Sequence, residues 1–190
     1  MKINIILFFL AMVAKSSIET PDFNTIKKFK DFELRDYGSI IIATTTMERD
    51  FTQSNSIGFR RVASYIFGGN DKNMKIEMTA PVMTSFNFSN KNEQDISFVM
   101  PKKHNLSTLP LSKRKDVTIK EKELGIVAVI AFGGWATEEK ANKYIKKLKI
   151  LIENENLKTS NEIIIAQYNS PWIIPPFRKN EILIPLDKNN

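Results

Sequence analysis

From Phe32 onward the chain falls into short stretches that alternate apolar and polar residues, interrupted twice by stretches in which apolar residues recur every three or four positions. Phe32-Glu33-Leu34-Arg35 alternates, Tyr37-Gly38 supplies a turn, and Ile40 to Thr46 continues as a β-branched run, which predicts a hairpin. Phe59, Val62, Ala63, Ile66 and Phe67 then fall at helical spacing. Ser54 or Ser56 is placed to cap that helix, and Gly68-Gly69 to end it in the left-handed conformation. A third strand is expected through the octet Lys75-Ile76-Glu77-Met78-Thr79-Ala80-Pro81-Val82 and on to Phe86. Its proline cannot donate to a ladder, so it reads as a strand broken or held at an edge. A polar turn leads to a fourth strand, Ile96 to Met100, which stops at Pro101; the charged stretch from Lys102 to Asp116 is the one long loop.

The order then repeats. Val117 to Lys120 alternates, Leu124-Gly125 turns, and Ile126 to Phe132 is continuously apolar, as in a strand covered on both faces. Gly133-Gly134 breaks that run, and Thr137 can cap a second helix with Ala141, Tyr144, Ile145, Leu148 and Ile152 on one face. Strands over Glu162 to Tyr168 and Asn180 to Leu186 close the chain. Gly38 matches Gly125 and Pro81 matches Pro171 at offsets of 87 and 90 residues, so the reading is a duplicated ββαββ unit. The expected architecture is α+β: an eight-stranded, twisted antiparallel sheet curled into a distorted barrel, pseudo-twofold, flanked by two helices.

The first residues stand apart from this pattern. Met1-Lys2-Ile3-Asn4 is a short basic start, Ile5 to Val13 is unbroken apolar sequence, and Ala14-Lys15-Ser16 offers small residues for a peptidase. Such a run is shorter than the roughly 20 residues a bilayer span needs, so residues 1–16 are expected to be a cleaved secretory signal, with no stable membrane insertion afterwards. Residues 17–30 read as a polar leader, and 31–190 as the folded domain of a secreted or lumenal protein. Asn87-Phe88-Ser89 and Asn105-Leu106-Ser107 fit the glycosylation sequon. The absence of cysteine rules out disulfides, so packing alone holds the core. The net charge of +7 becomes +5 if Lys2 and Lys15 leave with the signal; the lysines are scattered, which argues for a solvated surface and against nucleic acid.

Catalytic groupings are scarce. The only histidine, His104, lies in a charged loop with no nucleophile elbow near it, and the missing cysteines exclude thiolate chemistry. Glu77 alternates with apolar neighbours and reads as solvent-facing. Gly68-Gly69 follows a helix where a phosphate cradle would precede one, and Gly133-Gly134 lacks the Lys-Ser or Lys-Thr pair such a cradle carries. The chain is therefore read as a binder and not an enzyme, with no metal-ion site.

A curved sheet with a helix laid over it leaves a groove suited to a flat apolar ligand. Its candidate walls are the first helix (Phe59, Val62, Ala63, Tyr65, Ile66) and the proline-rich stretch Pro171 to Arg178 with Trp172 and Phe177. Arg60, Arg61, Arg178 and Lys179 are available to pair with ligand carboxylates. Phe59 and Val62 also lie on the core stripe of their helix, whereas Trp172, Ile173, Ile174 and Phe177 are hard to bury between prolines and predict an exposed patch.

The octet, with Phe59-Arg60-Arg61-Val62-Ala63-Ser64-Tyr65-Ile66 before it and Tyr168-Asn169-Ser170-Pro171-Trp172 and Arg178-Lys179-Asn180-Glu181 after it, resembles the SOUL or heme-binding protein family over about residue 30 to the C-terminus. The resemblance implies the same distorted barrel and a non-covalent ligand, heme or protoporphyrin, held between residues 56–65 and 171–179. Neither region contains a histidine, which leaves Tyr65, Met78 and His104 as the candidates for any iron ligand. The implied role is a carrier or buffer of tetrapyrroles. The alternative is an interaction module that contacts a protein partner through Trp172 to Phe177.

Overall fold

Alternation becomes strand and helical spacing becomes helix across residues 18–48, 53–89, 92–170 and 172–187, which the computed structural model describes. The expected signal and Pro171 lie outside these residues. In chain order the elements are β1 (Asn24–Lys28), β2 (Glu33–Asp36), β3 (Ser39–Glu48), α1 (Gln53–Ile66), β4 (Val82–Asn87), β5 (Glu93–Val99), β6 (Thr118–Glu123), β7 (Ile126–Gly133), α2 (Glu138–Asn154), β8 (Glu162–Gln167) and β9 (Lys179–Pro185). The strands form one antiparallel sheet in the order β1-β2-β7-β9-β8-β4-β5-β3-β6.

Two expectations are corrected by this sheet. Among the described residues it has nine strands in place of eight, and its edge strands β1 and β6 do not pair with each other, so it is not a closed barrel. The extra strand comes from the stretch read as a polar leader: all five residues of β1 are exposed, so burial imposed no alternation on them. The hairpin expected across Tyr37-Gly38 also does not form. β2 pairs with β7 and β3 with β6, in one register that runs from Glu33↔Val129 through Asp36↔Ile126 to Ser39↔Glu123 and Thr44↔Thr118. The linkers meet where this ribbon bends, with Tyr37 N–H donating to Gly125 C=O (3.0 Å) and Leu124 and Gly125 N–H donating to Gly38 C=O (2.9 and 3.1 Å). A link of two residues cannot cross a flat sheet of this width, so the sheet curls until its two ends approach at that corner.

The curl gives each strand an inner and an outer face. Ile40, Ile42, Met83, Val99, Val127, Val129, Ile164, Ala166 and Leu183 pack together on the inner side. Their chain neighbours point outward, each set under one helix. Ala128, Ile130, Ile163, Ile165, Ile182 and Ile184 meet Ala141, Ile145, Leu148 and Ile152 of α2. Ala43, Phe98 and Met100 meet Val62, Ala63, Tyr65 and Ile66 of α1. Of Ile126 to Phe132, expected to be covered on both faces, Val127 to Ile130 and Phe132 are buried, whereas Ile126 and Ala131 are exposed.

The helix ends follow their sequence signals unequally. Thr137 Oγ1 accepts from Lys140 N–H (3.3 Å), so it caps α2 as expected. Gly68 has φ +105°, its N–H donates to Tyr65 C=O (3.3 Å), and Gly69 N–H donates to Ser64 C=O (2.7 Å), which is a Schellman ending for α1. Ser54 and Ser56, in contrast, lie inside the first turns of α1 and do not precede it. The octet is likewise not a strand before Val82. Its groups are claimed one at a time by different neighbours: Ile76 N–H by Ile66 C=O (2.8 Å), Thr79 Oγ1 donates to Val99 C=O (2.6 Å), and Ala80 N–H to Glu19 C=O (2.8 Å). Glu77 is solvent-facing as expected and pairs with Lys103 at 3.0 Å.

Candidate functional site

α1 packs mainly on β3 and β5, and α2 on β7 and β9, and the adjoining strands β4 and β8 run between them. Ile163 and Ile165 of β8 and Phe86 of β4 pack with α2, and the half-buried Val82 and Gln167 at the other end of the seam line an opening between the helices. The result is a cleft of about 590 Å³, within the roughly 300–1,000 Å³ usual for small-molecule sites. Val82, Thr84 and Gln167 form its floor, Asn55, Ser56 and Phe59 of α1 one wall, and Trp135 to Glu138 with Asn169 and Arg178 the other.

Each wall is held from behind. Phe59 packs tilted on Phe98, centroids 5.1 Å apart. Asn55 Oδ1 accepts from Thr84 Oγ1 (3.3 Å) and Gln94 Nε2 (3.2 Å), tying the start of α1 to β4 and β5. Opposite, the Arg178 guanidinium lies 3.7 Å from the centroid of the Trp135 ring and its Nε donates to Ile173 C=O (2.7 Å). Asn180 Nδ2 donates to Gly134 C=O (2.9 Å), fixing the turn that carries Trp135 to the lead-in of β9. The cleft thus offers two aromatic faces, a planar cation and a rim of amides and hydroxyls.

Of the residues expected to bind ligand, Phe59 and Arg178 are brought together here. Val62, Ala63, Tyr65 and Ile66 are not walls: they are buried in the core beneath α1. Arg60 is exposed on α1. Trp172 (90% exposed) and Phe177 (73%) stand on the surface outside the cleft. Lys179 projects to the other side of β9, its Nζ 3.1 Å from Glu181. None of the three iron-ligand candidates lines the cleft. The Tyr65 hydroxyl donates to Pro110 C=O (2.9 Å), and burial, with Asp71 adding to it, pushes its pKa up to about 12. Met78 lies in the irregular stretch before β4, and His104 in a smaller recess beside Glu19, Tyr37 and Lys102. No group of three or more His, Cys, Asp or Glu able to hold a metal ion occurs among the described residues. Asn87 and Asn105 are both exposed.

Sequence reasoning missed Trp135. The signal available was its place: an aromatic residue between a glycine pair and a helix cap cannot follow its strand into the core.

A second polar grouping lies on the inner side of the curl. Arg35, opposite Val127, and Glu181, two residues from Leu183, face each other there. Arg35 Nη1 and Nη2 donate to the two Glu181 oxygens (2.9 and 3.0 Å), Nη1 also reaches Tyr37 Oη (3.0 Å), and Nε donates to Glu33 (2.6 Å). Tyr168 Oη donates to Glu181 Oε2 (2.6 Å), and the Phe23 ring, 4.3 Å from Arg35 Cζ, covers the group. Burial alone would raise the Glu181 pKa, but hydrogen bonds from Arg35 and Tyr168 and the charges of Arg35 and Lys179 outweigh it and hold the carboxyl below its usual range. Burial first, and the Glu181 charge second, push the Tyr168 hydroxyl above the ordinary tyrosine value.

This fold recurs in proteins of very different sequence. A hydrolase from Listeria innocua is 10% identical with a TM-score of 0.62, over 85% of this chain and 94% of that one. The C-terminal domain of EcmrR is 12% identical with a TM-score of 0.65, over 83% and 97%. These likenesses define the class as an α+β domain of two helices on a curled antiparallel sheet, and at such identities show the fold alone. At the level of sequence, the family model described as SOUL heme-binding protein matches residues 18–185. Heme-binding protein 2 of Homo sapiens is 30% identical over 192 residues (88% of this chain, 93% of that protein), and its Mus musculus counterpart 30% over 166 (83% and 78%). The chain belongs to the SOUL heme-binding protein family.

Proposed function

We propose that the protein binds heme or another tetrapyrrole non-covalently in the cleft between α1 and the Trp135–Arg178 wall, as a carrier or buffer and not as an enzyme. The observation that carries this reading is the pairing of two aromatic walls with one planar cation over the Val82–Gln167 end of the β4–β8 seam, in a chain of the SOUL family. Phe59 and Trp135 can lie against the faces of a macrocycle, and Arg178 can take a carboxylate at its edge. Among the lining residues no His, Met or Tyr is available to iron, so recognition falls to the ring and its carboxylates, with or without metal.

The strand order reads the same from either end, β1 aside, when β2, β3, α1, β4 and β5 are exchanged for β6, β7, α2, β8 and β9, which supports descent from a duplicated ββαββ unit. The apolar start and the two exposed sequon asparagines support passage through the secretory route. Recovery of a protein from culture medium that begins near Ser17 and loses mass on glycosidase treatment would bear on that part.

The test of binding is an absorbance titration of the chain from Ser17 onward with hemin and, separately, with metal-free protoporphyrin. Both are expected to saturate near one equivalent, and Trp135→Ala and Arg178→Leu each to weaken binding by about tenfold or more. Binding of neither pigment overturns the reading; binding of hemin alone overturns its metal-independent form.

A further inference from the structure

The segment between β8 and β9 presents a knuckle that the cleft does not use. Trp172 is 90% exposed, Phe177 73%, Ile174 59% and Ile173 38%, so four large apolar side chains crowd into six residues at the surface. Exposure on this scale needs a covering phase. We propose that it is the surface of an anionic phospholipid bilayer, on which this loop docks peripherally.

The backbone of the loop favours lipid over a protein partner. Ile173 N–H donates to Ser170 C=O (3.1 Å), Phe177 N–H to Ile174 C=O (3.1 Å), Arg178 N–H to Pro175 C=O (3.1 Å), and Trp172 N–H to Ser170 Oγ (3.4 Å). Pro175 and Pro176 have no N–H, so six of the seven positions from 172 to 178 carry no backbone donor that must find a new partner. A protein interface would tolerate free donors and use them; the acyl region of a bilayer does not. The loop is also held to shape, because Arg178 Nε donates to Ile173 C=O (2.7 Å) from within the cleft wall. Trp and Phe are side chains that partition to the boundary between headgroups and acyl chains.

Charge selects the kind of bilayer. From Asn169 to Asn180 the chain carries Arg178 and Lys179 and no acid; Arg178 is buried against Trp135, and Lys179, although paired with Glu181, keeps 54% of its side-chain exposure. From Ser17 onward, without Lys2 and Lys15, the net charge of +7 becomes +5. Anionic headgroups attract such a surface. No helix among the described residues is long and apolar enough to cross a membrane, and a docked loop needs none. This inference goes beyond the ligand reading, and the two meet at Arg178, which would link a membrane-bound loop to a cleft for a membrane-soluble ligand.

The experiment uses the chain from Ser17 onward, which contains every strand and helix of the described residues, with vesicles of phosphatidylcholine alone and of phosphatidylcholine mixed with phosphatidylserine. The protein is expected to sediment with the mixed vesicles and less with the neutral ones. Because the chain has two tryptophans, a Trp135→Phe variant reports on Trp172 alone. Its emission should shift to the blue with vesicles and be quenched by brominated acyl chains. Trp172→Ser with Phe177→Ser should lower vesicle partitioning at least about tenfold while leaving the thermal unfolding midpoint in place, and Trp172→Phe should restore much of it. Absence of vesicle binding, or binding indifferent to these substitutions, overturns the proposal. A blue shift that grows with protein concentration in the absence of vesicles overturns it in favour of a second copy of the chain. Capture of one stoichiometric protein without vesicle binding overturns it in favour of a protein partner. A parallel hemin titration separates the readings, since failure there with vesicle binding intact sinks the cleft assignment alone.

Discussion

Glu181→Gln tests the inner polar group most directly. The Glu181 side chain is wholly buried and receives two charged hydrogen bonds from Arg35 and one from Tyr168. The substitution keeps the shape and some hydrogen bonding but removes the charge facing Arg35, whose own residue is 6% exposed. Removing one partner of a buried pair costs about 3–5 kcal/mol. Here Glu33 still bridges Arg35, and its side chain is 23% exposed, so the lower end, about 3 kcal/mol, is the expected loss. For a chain of this size that corresponds to a fall of about 6–12 °C in unfolding midpoint. Urea unfolding at neutral pH gives the free energy, and Arg35→Met combined with Glu181→Leu should recover more than half of it, because both charges then leave together. The pH profile carries the sign. The Glu181 pKa is depressed in the folded state, so its contribution is present above the ordinary value of 4.5 and is lost as pH falls below it; Glu181→Gln should flatten that acid limb. A loss under about 1 kcal/mol with the acid limb unchanged would refute the reasoning, since it would mean that the pair is hydrated or that Glu33 carries it.

At the alkaline end the buried tyrosines act in the opposite direction. Tyr65 is pushed up to about 12, and Tyr37 and Tyr168 are also raised above the ordinary 10.0, so their contribution is present below about pH 10 and declines as the unfolded chain ionises above it. Urea midpoints should fall above that pH, and Tyr65→Phe should reduce the slope. At the end of α1, a Cβ on Gly69 would stand 2.5 Å from Ser64 O, so Gly69→Ala should cost at least about 1 kcal/mol and expose the last turn to hydrogen exchange. Gly125 has open space around it but φ +57°, so Gly125→Asn should be milder than Gly125→Val in the same unfolding assay.

The sequence-to-structure correspondence is uneven for a physical reason. Periodicity records which side of an element faces the core, and α2 with Ala141, Ile145, Leu148 and Ile152 buried follows it closely. It does not record which strand lies alongside. Ile40 to Thr46 has the same β-branched pattern whether it pairs back on Leu34 or, as it does, on Lys120 and Phe98, and only the long-range ladder decides. β1 had no buried face, so no pattern marked it. Within the candidate site, Phe59 and Arg178 were legible because aromatic and guanidinium groups suit a flat acidic ligand, whereas Tyr65 carries an equally suitable group on the buried stripe. Glu181 was legible only as part of a family motif. One carboxylate in Asn180-Glu181-Ile182 gives no local sign that Arg35, 146 positions away, meets it.

Why the cleft sits where it does follows from how the helices are attached. Each helix leads by a connection into the strand after it, β4 for α1 and β8 for α2, yet packs chiefly over two other strands. β4 and β8 then pair with each other, Val82↔Gln167 and Thr84↔Ile165, and form the seam between the helices. At the Val82–Gln167 end of that seam the floor mixes Val82 and Ile96 with Thr84 and Gln167, and Asn55 accepts the Thr84 hydroxyl, so its polar groups are partly satisfied without a covering loop. The two walls also differ, with Phe59 on one side and Trp135 beneath Arg178 on the other. A strand order that is the same from both ends places the cleft at its centre, and the unlike walls give that cleft a direction: on the proposed reading, a planar ligand with an acidic edge enters it with the acid towards Arg178.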